Sequence, residues 1–352
     1  MCIHTFTTHI KLMSNVYYSD YLQLDKILGA QAPESDKIGK DAHDEMLFIV
    51  VHQAYELWFK QILHEVGSVM NILKKPAIND NSPELQLVAH RLDRTVEVFK
   101  LLIQQIDVIE TMTPLDFMDF RDLLRPASGF QSMQFKIIEA MLGLKMEDRF
   151  GKSYYTSQLR DEDRKKIEDL EDTETLFELV GDWLERMPFF DQIKLWSNFD
   201  PEGEDHPFWS AYREAYSSTL LDSEINNLEY FDMVMMAEKE GRKLSLKARR
   251  SALFIMLYRG YPVMSLPYRI INHLLEIDEL MATWRYRHMN MVHRMIGHRV
   301  GTGGSTGKSY LKNALDSHYI FSELAELNSY LVERSKRPIL SEDLNQKLGF
   351  GR

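Results

Sequence analysis

The chain has 352 residues, 44% of them hydrophobic and 27% charged, enough to bury a large core without disulfides or a structural metal. Its 53 acidic and 42 basic residues leave a formal charge of −11, which repels phosphate backbones and excludes non-specific nucleic-acid binding. Cys2 is the only cysteine, so an intrachain disulfide, a Cys-x-x-Cys-His cofactor attachment and cysteine-rich zinc or iron–sulfur sites are excluded.

From the N-terminus, Met1 to Met13 lacks a compact apolar region, and no signal peptide is expected. No segment approaches the roughly 20 apolar residues of a membrane span, and a reducing cytoplasm is the expected location. His43 to Leu73 carries Leu47, Val50, Val51, Ala54, Leu57, Trp58, Ile62 and Val66 at three- and four-residue steps, which predicts an amphipathic helix. Pro76 and the run from Asn79 to Pro83 form a turn. Ser82 then caps a second helix, with Pro83 at its first position, running to about Glu110. A short helix is expected from Thr113-Pro114 towards Leu124, a loop over 125–129, and a helix from Phe130 to about Leu144. Lys145 to Asp172 is strongly charged and less legible. Glu174 to Met187 reads as a helix and 189–207 as irregular. Two helices are expected over Phe208–Glu240 and Leu244–Tyr261. Pro262 to Pro267 reads as a break, and a long helix follows from Tyr268 to Ile296. Gly297 to Gly307 is a glycine-rich loop, followed by helices near 308–315 and 319–331. No alternating strand pattern and no internal repeat is found, so the expected class is all-α.

The generic chemistries are tested next. None of the 12 histidines has a glutamate three residues before it, so a di-iron bundle has no support, and His-Glu-x-x-His is absent. His288, His293 and His298 sit at five-residue steps, about 140° apart on a helix, and cannot converge on one metal. A surface or hydrogen-bonded core position is the commoner role for any one helical histidine. Gly307-Lys308-Ser309 resembles the end of a phosphate loop, but Thr302 stands where its first glycine belongs and a helix precedes it instead of a strand. The remaining possibilities for this loop are a flexible connection or a backbone cradle for a carboxylate. Arg121, flanked by aromatics, suits either bidentate capture of a carboxylate or a surface ion pair. Phe48 and His52 share one helix face, and suit either core packing or a hydrogen bond to the polar edge of an apolar ligand.

Five blocks in order change these odds. They are Tyr18-Ser-Asp-Tyr21-Leu22-Gln-Leu24-Asp25; the segment His43 to Lys60 containing Phe48, His52 and Trp58; Glu110 to Arg121 with Phe117 and Phe120; Pro126-Ala-Ser128-Gly129-Phe-Gln-Ser132; and Trp284-Arg-Tyr-Arg-His288-Met leading to Gly301-Thr302-Gly-Gly-Ser-Thr-Gly307. From about Val16 to at least Leu331 the chain resembles the tryptophan 2,3-dioxygenase family. The resemblance implies a helical homotetramer (a dimer of dimers) with one haem b per subunit, ferrous when active. It implies cleavage of the indole C2–C3 bond of L-tryptophan by O₂ to give N-formylkynurenine, the first step of the kynurenine route. Carried over position by position, His288 is implied as the axial haem-iron ligand, with Trp284, Ser128 and Gly129 beside the haem. His52 is implied as the catalytic-pocket histidine that hydrogen-bonds the indole N–H. Phe48 and Phe117 would line the indole pocket, Arg121 would pair with the substrate carboxylate, and Thr302 would contact its amino-acid end. Tyr18, Tyr21 and Leu22 would reach a neighbouring subunit's pocket from an N-terminal arm, residues 1–42. Residues 43–352 would form one catalytic domain, with 145–244 family-variable. Phe117 stands where some bacterial members have tyrosine, a change that removes no charge or ligand. Two rival readings remain: a non-catalytic haem protein that senses O₂ or carries haem, and an ATP-dependent enzyme using Gly307-Lys308-Ser309.

Overall fold

The computed structural model describes residues 15–76, 82–149, 158–199, 206–238, 240–299 and 319–349. Among these residues the secondary structure is helical and no strand occurs, in agreement with the expected all-α class. Two short helices, α1 (Tyr18–Leu22) and α2 (Leu24–Leu28), precede the long α3 (Asp44–Leu73) and α4 (Pro83–Ile109). α4 starts as the sequence requires. Ser82 accepts from the Leu85 N–H, and Pro83 occupies the first turn, where its missing N–H costs nothing.

α5 (Pro114–Phe120) runs into a 3₁₀ turn at Arg121–Leu124. A capping box starts it: Thr113 accepts from the Asp116 N–H and the Asp116 carboxylate accepts from the Thr113 N–H. α6 (Met133–Leu142) follows, then α7 (Asp161–Glu171), α8 (Leu176–Glu185), α9 (Pro207–Ser217), α10 (Asn227–Phe231), α11 (Leu246–Leu257), α12 (Pro262–Ile296), α13 (Ser322–Glu326) and α14 (Glu342–Leu348).

The frame is α3 and α12 packed against α4. α4 presents Leu85, Val88, Leu92, Val96, Phe99, Leu102 and Ile106 at three- and four-residue steps, all buried. α3 answers with Tyr55, Phe59, Ile62, Val66 and Val69, and α12 with Ile270, Ile271, Leu274, Ile277 and Met281. Burial of each such side chain is worth about 1.5–3 kcal/mol, so packing, not helix propensity, sets the position of these three helices. A second part of the same core is aromatic: Phe190, Trp196, Phe208, Trp209 and Phe254 stack among α8, α9 and α11.

Two sequence expectations are corrected. The helix expected over Phe208–Glu240 is interrupted: α9 stops at Ser217, and helix resumes only in short pieces, a 3₁₀ turn at Asp222–Glu224 and α10 running on into a π-helical turn at Asp232–Met236. The hydroxyls of Ser218 and Thr219 donate back to the Ala215 and Tyr216 carbonyls, competing with helix continuation. The carbonyls freed where the later turns end at Val234 and Ala237 accept from the buried Arg249 guanidinium on α11. The break expected over 262–267 is helix instead. Pro262 takes the first-turn position for which its ring is preorganised, and Pro267 removes a single hydrogen bond from a helix held by its packing. The helices expected near 308–315, and Thr302 with its loop, lie outside the described residues; the last expected helix is shorter, α13 ending in a 3₁₀ turn, Leu327–Tyr330.

Thr175 is buried and caps α8 by a reciprocal box: Thr175 accepts from the Glu178 N–H, and the Glu178 carboxylate accepts from the Thr175 N–H at 2.8 Å. Thr175→Ala is expected to cost about 1–2 kcal/mol, read as a lower urea midpoint at unchanged slope; an unchanged midpoint refutes the cap's contribution.

Candidate active site

α3 brings its histidine to the site among aromatic rings. The Phe48 and His52 rings lie 4.1 Å apart, one turn from each other. Across from them the capped α5 delivers Phe117, 5.8 Å from Phe48, and Phe120, 5.6 Å from Phe48. Phe120 is fully buried and joins Met112 and Met295 in a small apolar cluster distinct from the main core, against which Phe48, Phe117 and Met291 pack. Arg121 follows Phe120 directly and is itself buried, 4% exposed. That burial takes it off the surface.

The opposite wall comes from α12. His288 stacks on Trp284, one turn earlier, with centroids 5.1 Å apart and planes 2° from parallel. Trp284 packs on Phe135 at 4.9 Å and meets Tyr55 and Phe59 edge-on. Tyr55 in turn faces His52 at 6.4 Å, so a continuous run of rings joins the two histidines. Both histidines are half-buried among these rings, and this ring-lined region is the candidate recess.

Burial sets their protonation. Desolvation pushes His288 down to about 4, helped by His52, and also lowers His52 against the opposing pull of the Phe48 carbonyl and Glu56. Both rings are therefore neutral at pH 7. The His52 Nδ1 lies 2.7 Å from the Phe48 carbonyl oxygen. A carbonyl only accepts, so Nδ1 carries the proton and Nε2 is left as an acceptor facing outward from the helix. No hydrogen bond among the described residues occupies the His288 ring. A neutral imidazole with a free lone pair, stacked on a flat partner in an aromatic recess, has the donor chemistry an axial haem ligand needs. The lone Cys2 means such a haem would be held without thioether bonds.

The loop over 125–132 hangs from α3. Ser132 donates to the Glu56 carboxylate at 2.7 Å, and Gln134 donates to the Glu56 carbonyl and carboxylate at 2.7 and 2.8 Å. Glu56 is one turn from His52, so this anchor ties the end of the loop that carries Ser128 and Gly129 to the histidine's helix. Ser128 caps the Gly129–Gln131 turn, accepting from the Phe130 N–H. Tyr18, Tyr21 and Leu22 stay on the surface of the single chain, 72%, 74% and 36% exposed.

Thus Phe48, His52 and Phe117 are brought together, as are Trp284 and His288, while α1 is not grouped with them. Sequence reasoning passed over Glu56, Phe59 and Phe135. The first acts through partners 76 and 78 residues away, and the others carry no pattern beyond ordinary helix packing.

In this helical protein, two neutral histidines joined by a run of aromatic rings make an arrangement suited to a flat, mostly apolar group. Comparison with known proteins is more specific. The profile of the tryptophan 2,3-dioxygenase family matches residues 5–331. The tryptophan 2,3-dioxygenase of Alteromonas mediterranea is 44% identical over 95% of this chain and 97% of its own length. That of Dictyostelium discoideum is 39% identical over 95% and 88%, and that of Rattus norvegicus 38% over 94% and 86%. The chain belongs to the tryptophan 2,3-dioxygenase family.

The tautomer of His52 is directly testable. With ¹⁵N-histidine and a His52→Ala difference spectrum, the His52 resonance at pH 7 is expected to show a protonated Nδ1 and a bare Nε2; a doubly protonated ring, or the opposite tautomer, contradicts the assignment.

Proposed function

We propose that this chain is a haem-dependent dioxygenase that opens the indole C2–C3 bond of L-tryptophan with O₂, giving N-formylkynurenine. Family membership supports the reaction. The observation that supports the site assignment is the run of aromatic rings that joins His288 to His52, both neutral. His288 would hold the iron of haem b, with Trp284 stacked on its ring and Ser128 and Gly129 beside the haem. The haem supplies the activation of dioxygen.

The chain's own residues do the rest. Phe48 and Phe117 stack around the indole and keep water from the reacting face. The His52 Nε2 accepts from the indole N–H, fixing which edge of the ring faces the haem. It serves as an orienter, since the indole N–H is a very weak acid and the ring can open from the neutral form. Arg121 pairs with the substrate carboxylate through a bidentate fork, and Thr302 takes the amino-acid end. Orientation of this kind is worth several orders of magnitude in rate.

The assembly belongs to the same reading: a homotetramer whose N-terminal arm, residues 1–42, carries Tyr18, Tyr21 and Leu22 into a neighbour's pocket, with residues 43–352 as one catalytic domain, 145–244 its family-variable section, in the reducing cytoplasm. The exposed apolar surface of α1 and of Met46, Val50, Leu57 and Trp58 on α3 supports burial by another copy. Among the described residues no helix is long and apolar enough to cross a membrane.

A spectrum of the purified protein under reducing conditions, before and after tryptophan and O₂, tests the whole reading. A Soret band followed by product absorbance is expected; a Soret band without product leaves a haem carrier, and neither refutes haem chemistry altogether. His288→Ala should abolish stoichiometric haem binding, and full retention with an unchanged Soret band excludes it as ligand. Arg121→Ala removes one partner of a desolvated ion pair, worth roughly 2–5 kcal/mol. The tryptophan KM should rise by about 30-fold or more, and an unchanged KM makes the arginine structural.

A further inference from the structure

Glu139 on α6 is buried, and two buried arginines converge on its carboxylate. Arg149 donates from Nη1 to Oε2 at 2.5 Å, and Arg285 donates from Nη2 to Oε1 at 2.7 Å. Arg149 also donates to the Leu144 carbonyl, and its Nε lies 4.0 Å from Glu171 on α7. Lys136 is buried one turn before Glu139, and desolvation lowers it to about 8, which marks the cluster as dry. Asp278 also acts on Arg285, while accepting from the Ile320 and Phe321 N–H groups.

The helical positions give this cluster a direction. At about 100° per residue, Arg285 and Arg287 fall on either side of His288. Arg287 donates to Asp107 of α4 and to Glu110 at its C-cap, at 2.7 and 3.1 Å, with Asp107 two-thirds exposed. Arg285 is held from the other side by Glu139. The His288 face of α12 is thus bracketed by two guanidinium anchors, one wet and one dry. Solvent screens the first, whereas the second is a charged hydrogen bond in a desolvated site, where misalignment is costly. The next α6 contact is of the same kind in apolar form: Phe135, one turn before Glu139, packs on Trp284.

We propose that Glu139 is a positioning residue, which through Arg285 fixes the rotation of α12 and hence the plane of the stacked Trp284–His288 pair. Arg149 holds the other carboxylate oxygen and so ties the charged section beyond residue 144, as far as Glu171, to the histidine's helix. This rests on the reading of His288 as the axial ligand.

The test compares ferrous wild type with Glu139→Gln, Arg285→Lys and Asp107→Asn, by haem stoichiometry, the iron–imidazole stretching band in resonance Raman spectra, and steady-state kinetics. Glu139→Gln is expected to keep one haem per chain but to shift or broaden the iron–imidazole band. Its kcat should fall about tenfold, with the tryptophan KM within about twofold, as suits a misplaced reacting group and not a lost substrate contact. Asp107→Asn should leave band and kcat unchanged. An unaltered band in Glu139→Gln overturns the proposal, even if thermal stability falls, because the cluster is then structural only. Should Glu139→Gln fail to fold, Arg285→Lys reads the same effect: it keeps the charge and loses the fork, and a wild-type band in it overturns the proposal. If instead wild type binds no haem, or His288→Ala keeps the iron–imidazole band, the axial-ligand reading fails and not the clamp.

Discussion

The packing of α3 and α12 against α4 is the constraint on which the rest of the molecule depends. α4 carries no residue of the candidate site, yet its buried row from Leu85 to Ile106 sets how far apart the two histidine-bearing helices stand. The gap between them is bridged by rings: Tyr55 from α3, Phe135 from α6 and Trp284 from α12. Aromatic side chains suit this bridge because they fill volume with few rotamers and offer flat faces. The same rings desolvate the two imidazoles. One packing solution therefore determines both the geometry of the recess and the protonation of its polar groups.

Polar anchors then fix what packing leaves free. Glu56 holds the 125–132 loop to α3 one turn from His52. Asp278 accepts from the Ile320 and Phe321 N–H groups, pinning the chain after the glycine-rich segment to α12. Gly143, at φ +130°, allows the Phe177 and Ile320 side chains within 3.0–3.3 Å of where a Cβ would stand, so the α6 terminus, α8 and that returning segment close on one another. The two carboxylates each accept from a pair of donors that an apolar replacement would leave unpaired.

What was legible in the sequence follows from range. α3 and α4 were readable nearly to the residue, because their apolar steps and the Ser82-Pro83 start are local signals. The α5 start was readable for the same reason, although only the structure shows Asp116 completing its box. The region 208–240 was misread because its apolar content resembles a helix, while the competing hydrogen bonds of Ser218 and Thr219, and the distant Arg249, decide otherwise. Pro262 and Pro267 misled in the opposite direction: the first sits in the first turn, where no N–H partner is lost, and tertiary packing outweighs the cost of the second. At the site, His52, His288 and Arg121 entered through ordered family blocks and not through spacing, and the structure adds what spacing could not: burial, ring stacking and a tautomer. Glu56 and Glu139 were invisible because each works only through residues far along the chain.

The electrostatic character of the recess narrows the chemistry it can perform. On the proposed reading its two imidazoles are neutral and its walls are aromatic, and the full charge offered to the substrate is that of the buried Arg121, which follows Phe120 in the chain. A zwitterionic amino acid with an apolar ring matches this polarity: carboxylate towards the arginine, ring among the phenylalanines, ring N–H towards the acceptor at His52. On the same reading, selection between near-identical rings falls to that acceptor. An analogue with carbon in place of the ring N–H would leave the buried His52 Nε2 without a donor, a penalty of roughly 1–3 kcal/mol. An apolar wall alone would discriminate far less against the same change. A histidine held neutral by burial, with its other nitrogen committed to the Phe48 carbonyl, is thus suited to read a ring edge and poorly suited to remove its proton.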